Sequence, residues 1–202
     1  MSARTDPSPR KSSRREHLLI TASDLFARHG YHSTGIDRIL SESGVAKMTL
    51  YKYFASKDEL IAESIRFRGA RSRAWFIDEI EALACAPEDR LVALFDVLSI
   101  WFAHASFTGC PFVNATAEYG AADDPIHVAA AEHKSLLRNY FVAQADAAGF
   151  CDPNAIADQM MILMEGAIVT RQVSGRTQGA EQAKQLFNVV LAGAARTEPE
   201  LA

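Results

Sequence analysis

With 202 residues, the chain is long enough for one domain or two small ones, and for burying roughly 70% of its unfolded surface. Its formal net charge of −4 argues, taken alone, against a nucleic-acid partner, and no apolar run approaches the ~18 residues that a membrane-spanning helix needs. Residues 1–16 lack an apolar signal core, Cys85, Cys110 and Cys151 form no Cys-x-x-Cys pair, and the histidines show no HExxH, so a cytoplasmic protein without membrane, metal or cofactor is expected.

The charge is unevenly placed. Residues 1–60 hold ten Lys or Arg against seven Asp or Glu, a balance of +3, and the rest of the chain balances to −7. A mildly basic head on an acidic body suits selective DNA contact through one end. Residues 1–13 read as a solvated, Ser/Pro-rich arm. Arg10, Lys11, Arg14 and Arg15, in the end of this arm and the two residues after it, are read as preceding the first helix and as candidates to follow a DNA backbone or enter a minor groove. Leu18, Ala22, Leu25 and Phe26 then mark the buried face of a first helix.

The segment Thr34 to Leu60, TGIDRILSESGVAKMTLYKYFASKDEL, carries the most information. Thr34 with Asp37 reads as a capping box opening a helix whose Ile36, Ile39 and Leu40 share one face. Gly44 stands where that helix must stop in a left-handed turn. Val45 and Leu50 can pack a second helix, roughly Ala46 to Tyr53, back on the first, leaving Lys47, Met48, Thr49, Tyr51 and Lys52 exposed for a major groove. Ser56 with Glu59 is a capping box proper, and Lys57 adds a cation beside amide groups that could hold a phosphate.

The run LYKYFASKDEL, with Leu50, Tyr51, Phe54, Ser56 and Lys57 in place, resembles the TetR family of bacterial transcriptional regulators. Phe26 and Gly30 of LFARHGYHSTGI match the end of that family's first helix, and the resemblance spans about residues 14–62. It implies a helix-turn-helix DNA-binding domain over residues 14–60 and a helical effector-binding and dimerisation domain over residues 61–202. By position it makes Thr34, Thr49, Tyr51, Tyr53 and Lys57 phosphate contacts, and Lys47, Met48 and Lys52 contacts to bases or backbone. Two departures stand out: Ala46 replaces a serine that often caps the recognition helix, and Leu40 replaces a small residue.

Beyond the head, helical periodicity continues, and an all-α chain of about nine helices is expected. Leu91, Leu94, Phe95, Leu98, Trp101 and Phe102 stripe one helix. Ala86-Pro87, Thr108-Gly109, Asp124-Pro125, Gly149 with Asp152-Pro153, and Ser174-Gly175 divide the others. Met160 to Val169 is apolar nearly all round, and the last helix carries Val189 and Leu191 beside its main stripe. Helices with more than one apolar side must bury more than one, so a homodimer through a four-helix bundle is expected, reading a pseudo-palindromic double-stranded operator.

A small-molecule effector, apolar in character, would need a cavity. Trp101, Phe102, Phe107, Phe112, Tyr140, Met160 and Met164 are candidates to line it, with His104, Asn114, Glu118, His133 or Arg171 as polar anchors. Cys110, just before Pro111 at a helix start, is a candidate thiol sensor of oxidants or electrophiles. The leading reading is a non-enzymatic, ligand-released repressor. The alternatives are a regulator working through Cys110, an architectural DNA-binding protein without effector, and an enzyme using Cys110 with His104 or His133.

Overall fold

The computed structural model describes residues 13–197, and over these the chain forms nine α-helices and no strand. They are α1 (Arg14–His29), α2 (Ile36–Ser43), α3 (Lys47–Tyr53), α4 (Lys57–Leu83), α5 (Pro87–Ala103), α6 (Pro111–Glu118), α7 (Pro125–Ala147), α8 (Pro153–Ser174) and α9 (Gly179–Gly193). This is the all-α architecture expected from the periodicity.

Local chemistry sets the helix starts. Pro87, Pro111, Pro125 and Pro153 each occupy the opening of a helix, where a missing N–H costs no hydrogen bond. Asp124 and Asp152 accept from the amides of Ile126 and Ala155 at 2.8 and 2.9 Å. Ser13 caps α1 through the Glu16 amide at 3.1 Å. Arg14 and Arg15 therefore belong to the first turn of α1 and not to the arm. Arg15 also pairs with Glu63 and lies over the Phe54 ring, so this cation is engaged within the head. Arg10 and Lys11 lie outside the described residues.

Helices α1 to α3 close on Leu18, Leu19, Phe26, Ile39, Leu50 and Phe54, all essentially inaccessible to solvent. Each such side chain contributes about 1.5–3 kcal/mol on leaving water. The 27-residue helix α4 joins head to body. Its Leu60, Ile61 and Ile65 are buried at the end that packs on α1, and its Phe76 and Ile80 are buried further along, where α5 and α7 pack. In the body, α5, α7, α8 and α9 pack around Leu94, Phe95, Phe141, Met160 and Phe187, with α6 lying on α7.

Helices α8 and α9 have two apolar faces. Met160, Met164 and Ile168 point into the core, whereas Ile162 and Val173 are 71% and 82% exposed. On α9, Phe187 is buried, while Leu186 and Val189 are 57% and 72% exposed. The second face is unburied in a single chain.

Candidate nucleic-acid interface and effector cavity

The turn between α2 and α3 is fixed by Gly44, whose φ of 64° is left-handed and whose amide donates to Leu40 O at 2.9 Å. Leu50 is fully buried and Val45 partly so; Leu40 is accommodated half-buried against the same core. Pinned by Leu50, α3 turns Lys47, Met48, Tyr51 and Lys52 outward, while Thr49 and Tyr53 are half-buried. Ala46 has the extended backbone of a cap residue, φ −65° and ψ 143°, but supplies no side-chain cap.

Two expectations for the head need correction. Thr34 is fully buried, and its hydroxyl donates to Gly30 O at 2.7 Å, with Leu25 O at 3.4 Å. It closes the α1–α2 turn, leaving its hydroxyl unavailable to a phosphate. Nor does Thr34 form a capping box with Asp37, because Gly35 occupies the cap position of α2 without a side-chain bond. Of the Ser56–Glu59 box, the Ser56 half forms, accepting from the Glu59 amide at 3.0 Å, while the Glu59 carboxylate accepts from the Ala55 amide, one residue before the cap, at 2.5 Å. Lys57 donates to His32 O at 3.1 Å, which leaves its ammonium two further N–H groups for an anion.

The body holds a cavity of about 460 Å³ between α1, α4, α6, α7 and α8, within the ~300–1,000 Å³ common for small-molecule sites. Trp101, Cys110, Phe112, His133 and Met164 line it, as does the long face of α4 through Phe67, Arg68, Arg71, Trp75 and Phe76. The other sequence candidates lie elsewhere. Phe102 is wholly in the core, Tyr140 packs on Phe141, and His104 is exposed at the end of α5. Asn114 and Glu118 face a separate hollow of about 250 Å³ between α6 and the Gly30–Tyr31 turn. Arg171 lies over Phe107 and donates to Phe102 O at 3.2 Å.

Burial makes His133 a neutral wall. Its ring stacks on Phe112 with centroids 3.6 Å apart, and desolvation, reinforced by Lys134 and Arg73, lowers its pKa to about 3. Arg73 can only donate, so the 3.0 Å contact to Nδ1 places the imidazole proton on Nε2. Opposite, the Lys134 ammonium is opposed by desolvation but held charged by Cys110 and by its ion pair with Glu165. Cys110 itself is buried at the cap position of α6.

Helix α6 touches both regions. Cys110, Pro111 and Phe112 at its start form cavity wall. At its end, the Glu118 carboxylate accepts from the amides of Tyr31 and His32 at 2.9 and 2.6 Å. Tyr31 donates its hydroxyl to Pro111 O at 2.9 Å, and the His32 ring stacks on Tyr119. Gly30 permits this approach: with φ of 85°, a Cβ there would be strained and would lie 3.2 Å from Glu118 Oε1. Sequence reading cast Glu118 as a ligand anchor and missed this clasp, which joins residues 86 and 87 apart. It also passed over α4, although Phe67, Arg71 and Trp75 repeat at i, i+4 and i+8. Among the described residues, no His/Cys/Asp/Glu cluster could hold a metal and no helix is long and apolar enough to cross a membrane.

A three-helix head presenting a basic, exposed third helix, α3, set on an all-helical body with a cavity, defines a helix-turn-helix regulator of transcription. Residues 18–64 match the model of bacterial regulatory proteins of the tetR family, and residues 87–187 match that of the tetracyclin repressor-like C-terminal domain. YxaF of Bacillus subtilis, an uncharacterised HTH-type transcriptional regulator, is 46% identical over 56 residues, which are 27% of this chain and 29% of that protein. The chain thus spans under a third of that relative. Rv1556 of Mycobacterium tuberculosis, also an uncharacterised HTH-type regulator, is 27% identical over 175 residues, 84% of this chain and 80% of that one. The crystal structure of a TetR-family transcriptional regulator from Streptomyces coelicolor superposes with a TM-score of 0.80 at 27% identity, covering 89% of this chain and 94% of that one. The chain belongs to the TetR family. It is a DNA-binding transcriptional regulator and not an enzyme.

Proposed function

We propose that the protein is a homodimeric repressor that leaves a pseudo-palindromic operator when a small molecule enters the body cavity. The observation carrying this reading is the double anchorage of α6, whose start forms cavity wall and whose end clasps the α1–α2 turn through Glu118. A ligand that prefers a displaced Cys110–Phe112 wall would shift α6 and, with it, the inclination of the head. Lys47, Met48 and Lys52 would meet bases or backbone, with Thr49, Tyr51, Tyr53 and Lys57 toward phosphates. The exposed stripe of Ile162, Val169 and Val173 on α8, with Leu186 and Val189 on α9, supports pairing with a second copy.

Footprinting on the DNA upstream of its own gene, with sedimentation of the complex and random-sequence competitor, tests this. Two protected half-sites one or two turns apart, bound by two chains and resistant to competitor, are expected. A single half-site bound by one chain would overturn the dimer, and equal displacement by random DNA would leave an architectural protein.

A second reading, a thiol sensor, is supported by the placement of Cys110 in the cavity wall, which Lys134 also lines. An electrophile such as N-ethylmaleimide would form a carbon–sulfur bond at Cys110, with the thiol proton passing to the neighbouring ring carbon. DNA release of the wild type, but not of Cys110→Ala, would support it; identical behaviour would reduce Cys110 to packing.

A further inference from the structure

The charges around the cavity do not cancel. Asp24 is taken up by Arg68 at 3.5 Å, and Lys134 by Glu165 of α8. Arg71 remains: its guanidinium lies 5.5 Å from the centre of the Phe67 ring, one turn away on the same face of α4, and no carboxylate among the described residues pairs with it. Arg73 adds positive charge behind the wall, where its contact is a neutral imidazole. An aromatic cavity with an unneutralised guanidinium on its rim thus sits in a chain whose net charge is −4.

We propose that the effector of this cavity is an amphipathic organic anion: a carboxylate whose acid group pairs with Arg71 and whose aromatic or branched body lies against Trp75, Phe76, Trp101 and Met164. This rests on the reading of the cavity as the effector site. A guanidinium offers the planar, two-pronged donor pattern that a carboxylate accepts, and stacking on Phe67 holds that fork in place. The apolar lining favours an organic body and gives a small inorganic anion nothing in exchange for its lost hydration. A cationic ligand would meet the unpaired Arg71 at the rim and be repelled.

The chain's two tryptophans, Trp75 and Trp101, both line the cavity, so intrinsic fluorescence reports its occupancy. The full-length protein would be titrated with 4-biphenylcarboxylic acid, its primary amide and 4-biphenylmethylamine, three compounds of like shape and different charge, by calorimetry and tryptophan fluorescence. The acid should bind about tenfold tighter than the amide, as one charge-assisted pair warrants, and the amine weakest. Arg71→Gln should abolish the preference for the acid over the amide, and an unchanged far-ultraviolet dichroism spectrum and melting temperature would show that the variant is folded. Equal affinity of acid and amide in the wild type overturns the anion proposal and leaves the cavity reading standing. A preference that survives Arg71→Gln overturns the assignment to Arg71. Binding of none of the three, with both tryptophans unmoved, overturns the cavity reading and the proposal with it.

Discussion

Replacing Glu118 with alanine removes the clasp between body and head without touching either core. Two backbone amides, those of Tyr31 at 2.9 Å and His32 at 2.6 Å, lose a shared carboxylate acceptor. Hydrogen bonds to a charged group are worth about 1.5–3 kcal/mol each. The His32 amide is exposed and can recover a bond to water; the Tyr31 amide is partly buried and recovers less. The net cost is then about 2–3 kcal/mol, and at about 2–4 °C per kcal/mol for a chain of this size the melting temperature should fall by about 4–12 °C. Glu118→Gln keeps one acceptor oxygen but turns an amide N–H toward a backbone N–H, so it should retain about half of the stabilisation. Thermal and urea unfolding measure the loss, and hydrogen exchange at Tyr31 and His32 locates it. A loss under about 0.5 kcal/mol for the alanine variant, with exchange unchanged at both amides, would refute the reasoning.

Four further outcomes are expected. Ala46→Ser should stabilise the head by about 1 kcal/mol, because the cap position of α3 already has the right backbone and lacks only the acceptor; urea unfolding checks it, and no gain would show that the cap geometry is not used. Lys57→Ala should weaken binding to all DNA sequences alike and flatten the logarithmic salt dependence by about 0.9 per lost phosphate contact, whereas unchanged binding would confine Lys57 to its bond with His32 O. Val189→Lys, on the exposed face of α9, should leave the fold intact and yield monomers in sedimentation; a persistent dimer would place the interface elsewhere. His133 is held neutral, its pKa lowered to about 3 from an unperturbed value of 6.5, so its contribution is fully present above pH 6.5 and is lost as pH falls toward 3. The wild type should therefore lose about 1.4 kcal/mol per pH unit more than His133→Gln over that window, and parallel stability curves would contradict it.

The DNA-reading head was legible along the chain because its determinants are local. Gly44 stops α2 within one turn of its own position, Ser56 caps α4 through the Glu59 amide three residues on, and Ile39 and Leu50 bury faces that periodicity reveals. Proline likewise announced the starts of α5, α7 and α8. Thr34 escaped the same logic because a threonine ahead of an acid can cap the helix that follows or bond back to the helix before it; packing against Leu25 and Gly30 chose the latter. The cavity was half legible. Aromatic and methionine residues at helical spacing mark a core, and only the assembled helices show which of them border open space: Trp101, Phe112 and Met164 do, whereas Phe102 and Tyr140 do not.

By itself, then, the sequence determined the helices, the head they build and the basic face of α3, since each depends on capping, turn and periodicity over a few residues. Tertiary structure alone decided that Glu118 clasps the α1–α2 turn across 86 residues, that α4 supplies Arg71 and Trp75 to the cavity, and that α6 spans cavity and head. The physical reason is that these pairings are set by the packing of helices far apart in the chain, and a one-dimensional pattern holds no record of which faces will meet.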